Sequence, residues 1–543
     1  MPQLIRRNII DFGKIDAKSS MVSRDAASKD LFMKAFTIPP TFDKSAFVSG
    51  DRYLVYGTKG SGKTALLRYM MEEEKQRGSA TKFVVFSEDI SAQDLNKIGS
   101  AIDVENVLTP EIGDRVDVKD MWKLFLIKAL CDLMADNKDL CNDHPRTERL
   151  RKVVDEALAG PGVGVLDRIS KVVKGGTLRF KTGFADIFEI EALLNLERSN
   201  GTSEIDYSRF ADLVINSLCR SEFPLDVRYC LYIDELNLSM LQQKKHKKDS
   251  ILIRDLVQAV GHLNRIFVEK GVPIFIYAAI RIEVAKAINV SRNEIDKYLI
   301  DHGQKTQWHS GFEVSQYPLF SIIEQRIVAI EKKATGRSSQ PAQIWADYFA
   351  GDLFGVGAKQ FLSEVTWCNP RDIVNIFNLA SAAMPSRLKY DTEVFAAIAH
   401  AYSDRVWSER AEELNAEHSM TVVNTIKRLL SSYYQHFKIE TLKKHAETVA
   451  QSDQVLRQVL NTVGIEKVCR DLYHVGIVGQ SLAQTNGARS VDQSKSFIQT
   501  WFYRDNVEFD PSQWMIVHLA LYPCLKLGSW RAERFAKDPR IAS

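Results

Sequence analysis

Gly57-Thr58-Lys59-Gly60-Ser61-Gly62-Lys63-Thr64 follows a short apolar run, Tyr53-Leu54-Val55-Tyr56, and precedes a helical pattern that opens with Ala65-Leu66-Leu67. The spacing is that of a phosphate-binding loop between a strand and a helix, G-x-x-x-x-G-K-[ST]. Glycines 57, 60 and 62 allow positive φ and bring backbone N–H groups close to an anion. The following helix, predicted over 65–76, adds further N–H groups and the positive end of its dipole. Lys63 is expected to reach the β- and γ-phosphates and Thr64 to join a Mg²⁺ shell. All eight residues, Gly57 to Thr64, are candidate nucleotide ligands.

Downstream, Lys82-Phe83-Val84-Val85-Phe86-Ser87 reads as a buried strand, and helix then alternates with strand as in a parallel α/β sheet. Tyr229-Cys230-Leu231-Tyr232-Ile233-Asp234-Glu235 delivers two carboxylates at a strand's C-terminal end, where open α/β sheets bind ligands. Asp234 is expected to support Mg²⁺ and Glu235 to orient and deprotonate the attacking water. The strand Val272–Ile280 ends in Arg281, whose planar fork suits either the γ-phosphate or an ion pair with Glu283. Helices are predicted over 250–268, 315–333 and 341–362. Asn369-Pro370-Arg371-Asp372 opens another with ordinary capping chemistry, except that Arg371 puts a cation at the unfavourable end.

Trp122 to Met134 is an apolar core helix, and 136–205 has the charge and turns of an insertion. Within it, Lys171 to Lys181 suggests a hairpin about Gly175-Gly176, either a solvated edge or a contact for a phosphate backbone. The run Lys244-Lys245-His246-Lys247-Lys248 is placed on an exposed loop, solvated or gripping a phosphate backbone. Ahead of the first strand lie Phe12-Gly13 and a helical run at Leu31–Phe36, ended by Pro39-Pro40.

These motifs together resemble a bacterial branch of the AAA+/STAND-like P-loop ATPases, largely uncharacterised proteins with a C-terminal winged-helix-like region. The resemblance runs from about Phe12 to about Leu527. It implies an α/β P-loop NTPase of the ASCE type, with ATP and Mg²⁺ as cofactors and hydrolysis as the activity. Lys63 and Thr64 match the phosphate and metal residues, Asp234 the metal-supporting acid, Glu235 the catalytic glutamate and Arg371 the sensor arginine of a helical lid. Arg281 stands where such proteins commonly carry Asn or Thr. Arg292 and Arg326 are alternatives for an arginine acting across a subunit interface. The expected organisation is a leader over 1–50 packing on the ATPase core, an ATPase domain over 51–310, a helical lid over 311–400 and a winged-helix-like domain over 401–543.

In the last third, helical spacing over 421–437, 439–450, 453–461 and 465–474 precedes Val475–Gly479, Phe497–Tyr503 and Trp514–His518. Helices followed by short aromatic strands fit a winged helix, for DNA or for a protein partner. His518 has no catalytic companions and reads as a packed side chain. The whole chain has 543 residues, too many for one core, and a net charge of +3, too small to imply nucleic acid. Seven scattered cysteines without a C-x-x-C pair, no signal-like start and no bilayer-length apolar run point to a cytoplasmic protein without a membrane partner. A guanine motif N-K-x-D is missing, which favours ATP over GTP.

The leading reading is therefore an ATPase switch or motor, placed by resemblance alone in bacterial defence or DNA maintenance. A nucleotide-regulated DNA-binding regulator is the alternative. A homo-oligomer and a DNA or protein partner stay open.

Overall fold

The computed structural model of the chain describes residues 4–15, 26–85, 118–158, 177–181, 202–236, 243–282, 295–309, 313–415, 418–483, 497–501 and 507–530. The chain divides into two compact units. One, α/β in character, comprises Thr41–Lys59 and Lys63–Thr306; the other, mainly helical, comprises Met1–Pro40, Gly60–Gly62 and Gln307–Ser543.

The α/β unit is built on five parallel strands: β1 (Leu54–Gly57), β2 (Ala80–Val85), β3 (Tyr229–Leu236), β4 (Ile274–Arg281) and β5 (Gly303–Lys305). Their order across the sheet is β2-β3-β4-β1-β5, so β4 separates the strand before the phosphate loop from the strand bearing Asp234. This is the ASCE-type P-loop arrangement expected. Leu54, Val55, Leu231, Ile276 and Ala278 are almost wholly buried, which is why a sheet covered on both faces reads as continuous apolar runs. Tyr232 stacks on Tyr277 at 5.1 Å and Tyr277 on Phe47 at 4.2 Å, tying two strands to the short helix Lys44–Ser49. β5 was not anticipated. It is held by backbone pairing with β1, Leu54 opposite Gly303 and Tyr56 opposite Lys305.

Helix α1 (Lys63–Gln76) follows the loop, and α2 (Gln243–Glu269) buries Leu252, Leu256, Val260, Leu263 and Phe267 at helical spacing. Because α2 begins at Gln243, the basic run Lys244–Lys248 lies on helical backbone rather than on a loop; its side chains fall outside the described residues. The helix Val118–Asp136, buried along most of its length, packs against the helices His144–Leu158 and Tyr207–Cys219 and against α2. In the insertion, strand Thr177–Lys181 pairs antiparallel with Thr202–Asp206. The expected hairpin within 171–181 is thereby corrected: the partner comes from further along the chain, and 171–176 lie outside the described residues.

In the helical unit, apolar side chains from Ile5 to Trp530 form one buried cluster. The helix predicted over 341–362 is two helices, Pro341–Tyr348 and Ala358–Val365. Phe354 and Gly355 both have positive φ between them, which no continuous helix accommodates. Helix α3 (Pro370–Ala382) and the long helix Thr392–Leu414 follow. Beyond them come helices Met420–Leu430, Ile439–Val449, Gln454–Thr462 and Ile465–His474 with strands β6 (His436–Phe437), β7 (Val478–Ala483), β8 (Phe497–Thr500) and β9 (Trp514–Val517). The antiparallel order β8-β7-β9-β6 gives the winged-helix-like region. The helix expected over 421–437 stops at Leu430, and Phe437 instead pairs with Met515.

The leader is shared. Its part up to Pro40 belongs with the helical unit and the helix Ala26–Ala35 packs on Leu319–Thr335; residues from Thr41 belong with the sheet.

Candidate functional site: the phosphate loop and the strand ends

Within the α/β unit, Gly57 ends β1 in register with Arg281 at the end of β4, so the loop starts at the C-terminal edge of the sheet. Gly57 continues the strand; positive φ is confined to Gly60 and Gly62, at +82° and +87°. Lys63 opens α1, and its buried ammonium donates to Gly57 O at 2.9 Å and Thr58 O at 2.8 Å. Thr64, partly buried, sits in the first turn of α1. The first four N–H groups of a helix have no partner within it, so this turn faces the loop with donors and a positive dipole end.

At the next two strands, Asp234 is buried at the C-terminal end of β3 and pairs with Val85. The register between β3 and β4 shifts here: Ile233 faces Ala278 but Leu236 faces Ile280, leaving Asp234 and Glu235 opposite a single residue. Glu235 itself is placed on the strand, while its side chain lies outside the described residues. Arg281 is partly buried. Thr64 and Asp234 supply oxygen ligands only, and among the described residues no group of three or more His, Cys, Asp or Glu gathers. Oxygen donors of this kind would fit Mg²⁺, which keeps waters and takes phosphate oxygens rather than a full protein cage.

The loop tip, Gly60–Gly62, belongs with the helical unit. There the Arg371 amide donates to Gly60 O at 3.3 Å, and the Trp308 indole donates from Nε1 to Ser61 O at 2.8 Å. A Cβ on Gly60 would meet Asn369 Oδ1 at 3.1 Å and Arg371 Cβ at 3.2 Å, so glycine is needed there for closeness as well as for φ. Asn369 caps α3, accepting from Asp372 N at 3.0 Å, and its Nδ2 donates to Asp372 Oδ2 at 2.7 Å. Trp367 N donates to the same carboxylate at 3.0 Å. Burial pushes the Asp372 carboxyl up to about 6, with Arg410 pulling it back only in part. The motif read as a capping sequence caps, and Arg371 is partly buried at its second helical position.

Of the other candidates, Arg326 is buried, and Nε donates to Asp11 O at 2.6 Å. A Cβ at Gly13 would come within 2.7 Å of its Nη2. This arginine is engaged with the leader. Arg292 lies outside the described residues. His518 is buried, stacked on Trp367 at 3.7 Å and edge-on to Trp501 at 4.7 Å, and its Nδ1 accepts from Ala520 N. It is the packed histidine expected. Trp308 and Arg7 escaped the sequence reading. Arg7, from the leader, is wholly buried with its guanidinium donating to carbonyls at and beyond the end of α3.

No described helix is long and apolar enough to cross a membrane. No protein-family model matches the chain, nor does any curated protein. Among solved structures, the Orc1 protein of Aeropyrum pernix in complex with DNA is similar over 99% of this chain and 97% of that one, at 11% identity and a TM-score of 0.34. Likeness at that level bears on neither activity nor partner.

Proposed function

We propose that the protein binds and hydrolyses ATP and uses the cycle as a conformational switch or motor. The observation that carries this reading is the loop from Gly57 to Thr64, with its two positive-φ glycines and the Lys63 ammonium laid against its carbonyls. Backbone N–H groups of the loop and of the first turn of α1 hold the phosphates, together with Lys63. Thr64 and Asp234 hold Mg²⁺, which when bound neutralises charge on the β- and γ-oxygens. Glu235 takes the proton of the water attacking the γ-phosphorus, and ADP leaves with the bridging oxygen. Arg281 and Arg371 are the two candidates for countering charge on the γ-phosphate.

The test is ATP turnover by the purified chain, with and without duplex DNA, beside Lys63→Ala and Glu235→Gln. Lys63→Ala should lose binding and turnover; Glu235→Gln should bind ATP and lose turnover. Absence of ATP binding by the wild type would refute the reading. The helix Ile465–His474 beside the antiparallel sheet favours, as a second reading, a nucleotide-regulated DNA binder. DNA affinity that falls steeply with salt would support it. Homo-oligomerisation on ATP binding is read by sedimentation of the Glu235→Gln variant.

A further inference from the structure

We propose that Trp308 is a positioning residue for the phosphate loop, directing the loop amides that hold nucleotide phosphates. The inference rests on the ATP-binding reading above. Its basis is peptide geometry: in a trans peptide the C=O and the following N–H lie in one plane and point in opposite directions, and the chain has no cis peptide bond among its described residues. The indole N–H of Trp308 holds Ser61 O at 2.8 Å, so it also fixes the direction of the Gly62 N–H, which points the other way. One peptide earlier, the Arg371 amide at Gly60 O does the same for the Ser61 N–H, through a longer bond of 3.3 Å. Two neighbouring peptide planes are thus set by donors from outside the loop.

Flexible glycines make this support necessary. Gly60 and Gly62 flank Ser61 with little intrinsic preference for either sign of φ, so the loop does not itself choose which way its carbonyls face. Trp308 is well placed to choose. It is 4% exposed, its ring sits in the apolar cluster of the helical unit, and its own carbonyl accepts from Leu319 N. A buried donor of this kind cannot exchange its acceptor for water without leaving an orphaned polar atom.

The test compares Trp308→Phe with Trp308→His. Phenylalanine keeps an aromatic ring and loses the donor. Histidine is smaller and more polar, yet in its Nε2–H tautomer it carries an N–H at the same position of a five-membered ring. A residue that only packs would tolerate Phe better; a residue that positions the loop would tolerate His better. Calorimetry would measure dissociation constants for MgADP and for Mg²⁺-pyrophosphate, which has no base or sugar. Trp308→Phe should weaken both about tenfold, and Trp308→His both by about threefold or less. Melting of the ligand-free variants reports packing separately. Phe binding as tightly as wild type, or more tightly than His, would overturn the proposal. If wild type binds and Lys63→Ala alone loses binding, only this inference falls; if wild type binds neither ligand, the ATP reading falls and takes this one with it.

Discussion

Replacing Arg7 by alanine should release the C-terminal end of α3. The guanidinium is wholly buried and donates to Ala380 O at 2.6 Å, Met384 O at 2.7 Å, Arg387 O at 2.9 Å and Ala383 O at 3.1 Å. Since α3 stops at Ala382, Ala380 O is one of the last-turn carbonyls that the helix cannot bond for itself, and the other three belong to the cap and the turn that follow it. The cation also lies at the negative end of the helix dipole and 5.1 Å from the Tyr390 ring centroid. A hydrogen bond to a charged group contributes about 1.5–3 kcal/mol, but the four share one cation whose own desolvation cost is recovered on truncation. The net loss expected is about 4 kcal/mol, well below the sum. For a unit of this size that corresponds to a melting point lower by roughly 8 °C. Arg7→Lys should recover less than half, because an ammonium cannot span four acceptors spread across a fork. The assay is thermal unfolding by circular dichroism, with hydrogen exchange to locate the change in peptides covering 370–390. A loss under about 1 kcal/mol, or exchange that rises elsewhere instead, would show that desolvation cancels the bonds and refute the argument.

Two further predictions concern buried polar groups. Asp372 has a folded-state pKa of about 6 against an ordinary 3.8, so the folded chain binds its proton more tightly than the unfolded one. Its stabilising contribution is therefore fully present below pH 3.8 and is lost as pH rises through 6, by ~3 kcal/mol at most. Asp372→Asn should gain stability relative to wild type between pH 4.5 and pH 7 in paired urea titrations; an unchanged difference would contradict the shift. Asn264 bonds both backbone groups of Ile276, donating to its O at 2.8 Å and accepting from its N at 2.9 Å on the central strand β4. Asn264→Leu should cost about 2–4 kcal/mol in denaturant unfolding by leaving both unpaired; a loss under about 0.5 kcal/mol would show that the two groups find other partners.

What could be read from the sequence is what short stretches of chain encode. Gly57–Thr64 was legible because its glycines, its lysine and the flanking strand and helix all express local backbone preference and spacing. Tyr229–Glu235 and Val272–Arg281 were legible because strands buried on both faces must be apolar along their length. The capping role of Asn369 and Asp372 was legible too, since a cap reaches only three residues ahead.

Other features depend on partners far along the chain. Gly303-Gln304-Lys305 carries no apolar signal and is a strand because β1 offers it an edge, with Thr306 N bonding Tyr56 O at 2.8 Å. Phe437 was read into a helix because its spacing allowed it, whereas pairing with Met515 makes it a strand. Trp308 and Arg7 are single residues in unremarkable surroundings, and their acceptors lie 247 and more than 370 positions away. The sequence by itself determined the phosphate loop and the α/β class, because periodicity and turn chemistry act over a few residues. Only the tertiary structure decided which distant donors hold that loop and cap α3, because a buried hydrogen bond finds its partner through packing, not through proximity in the chain.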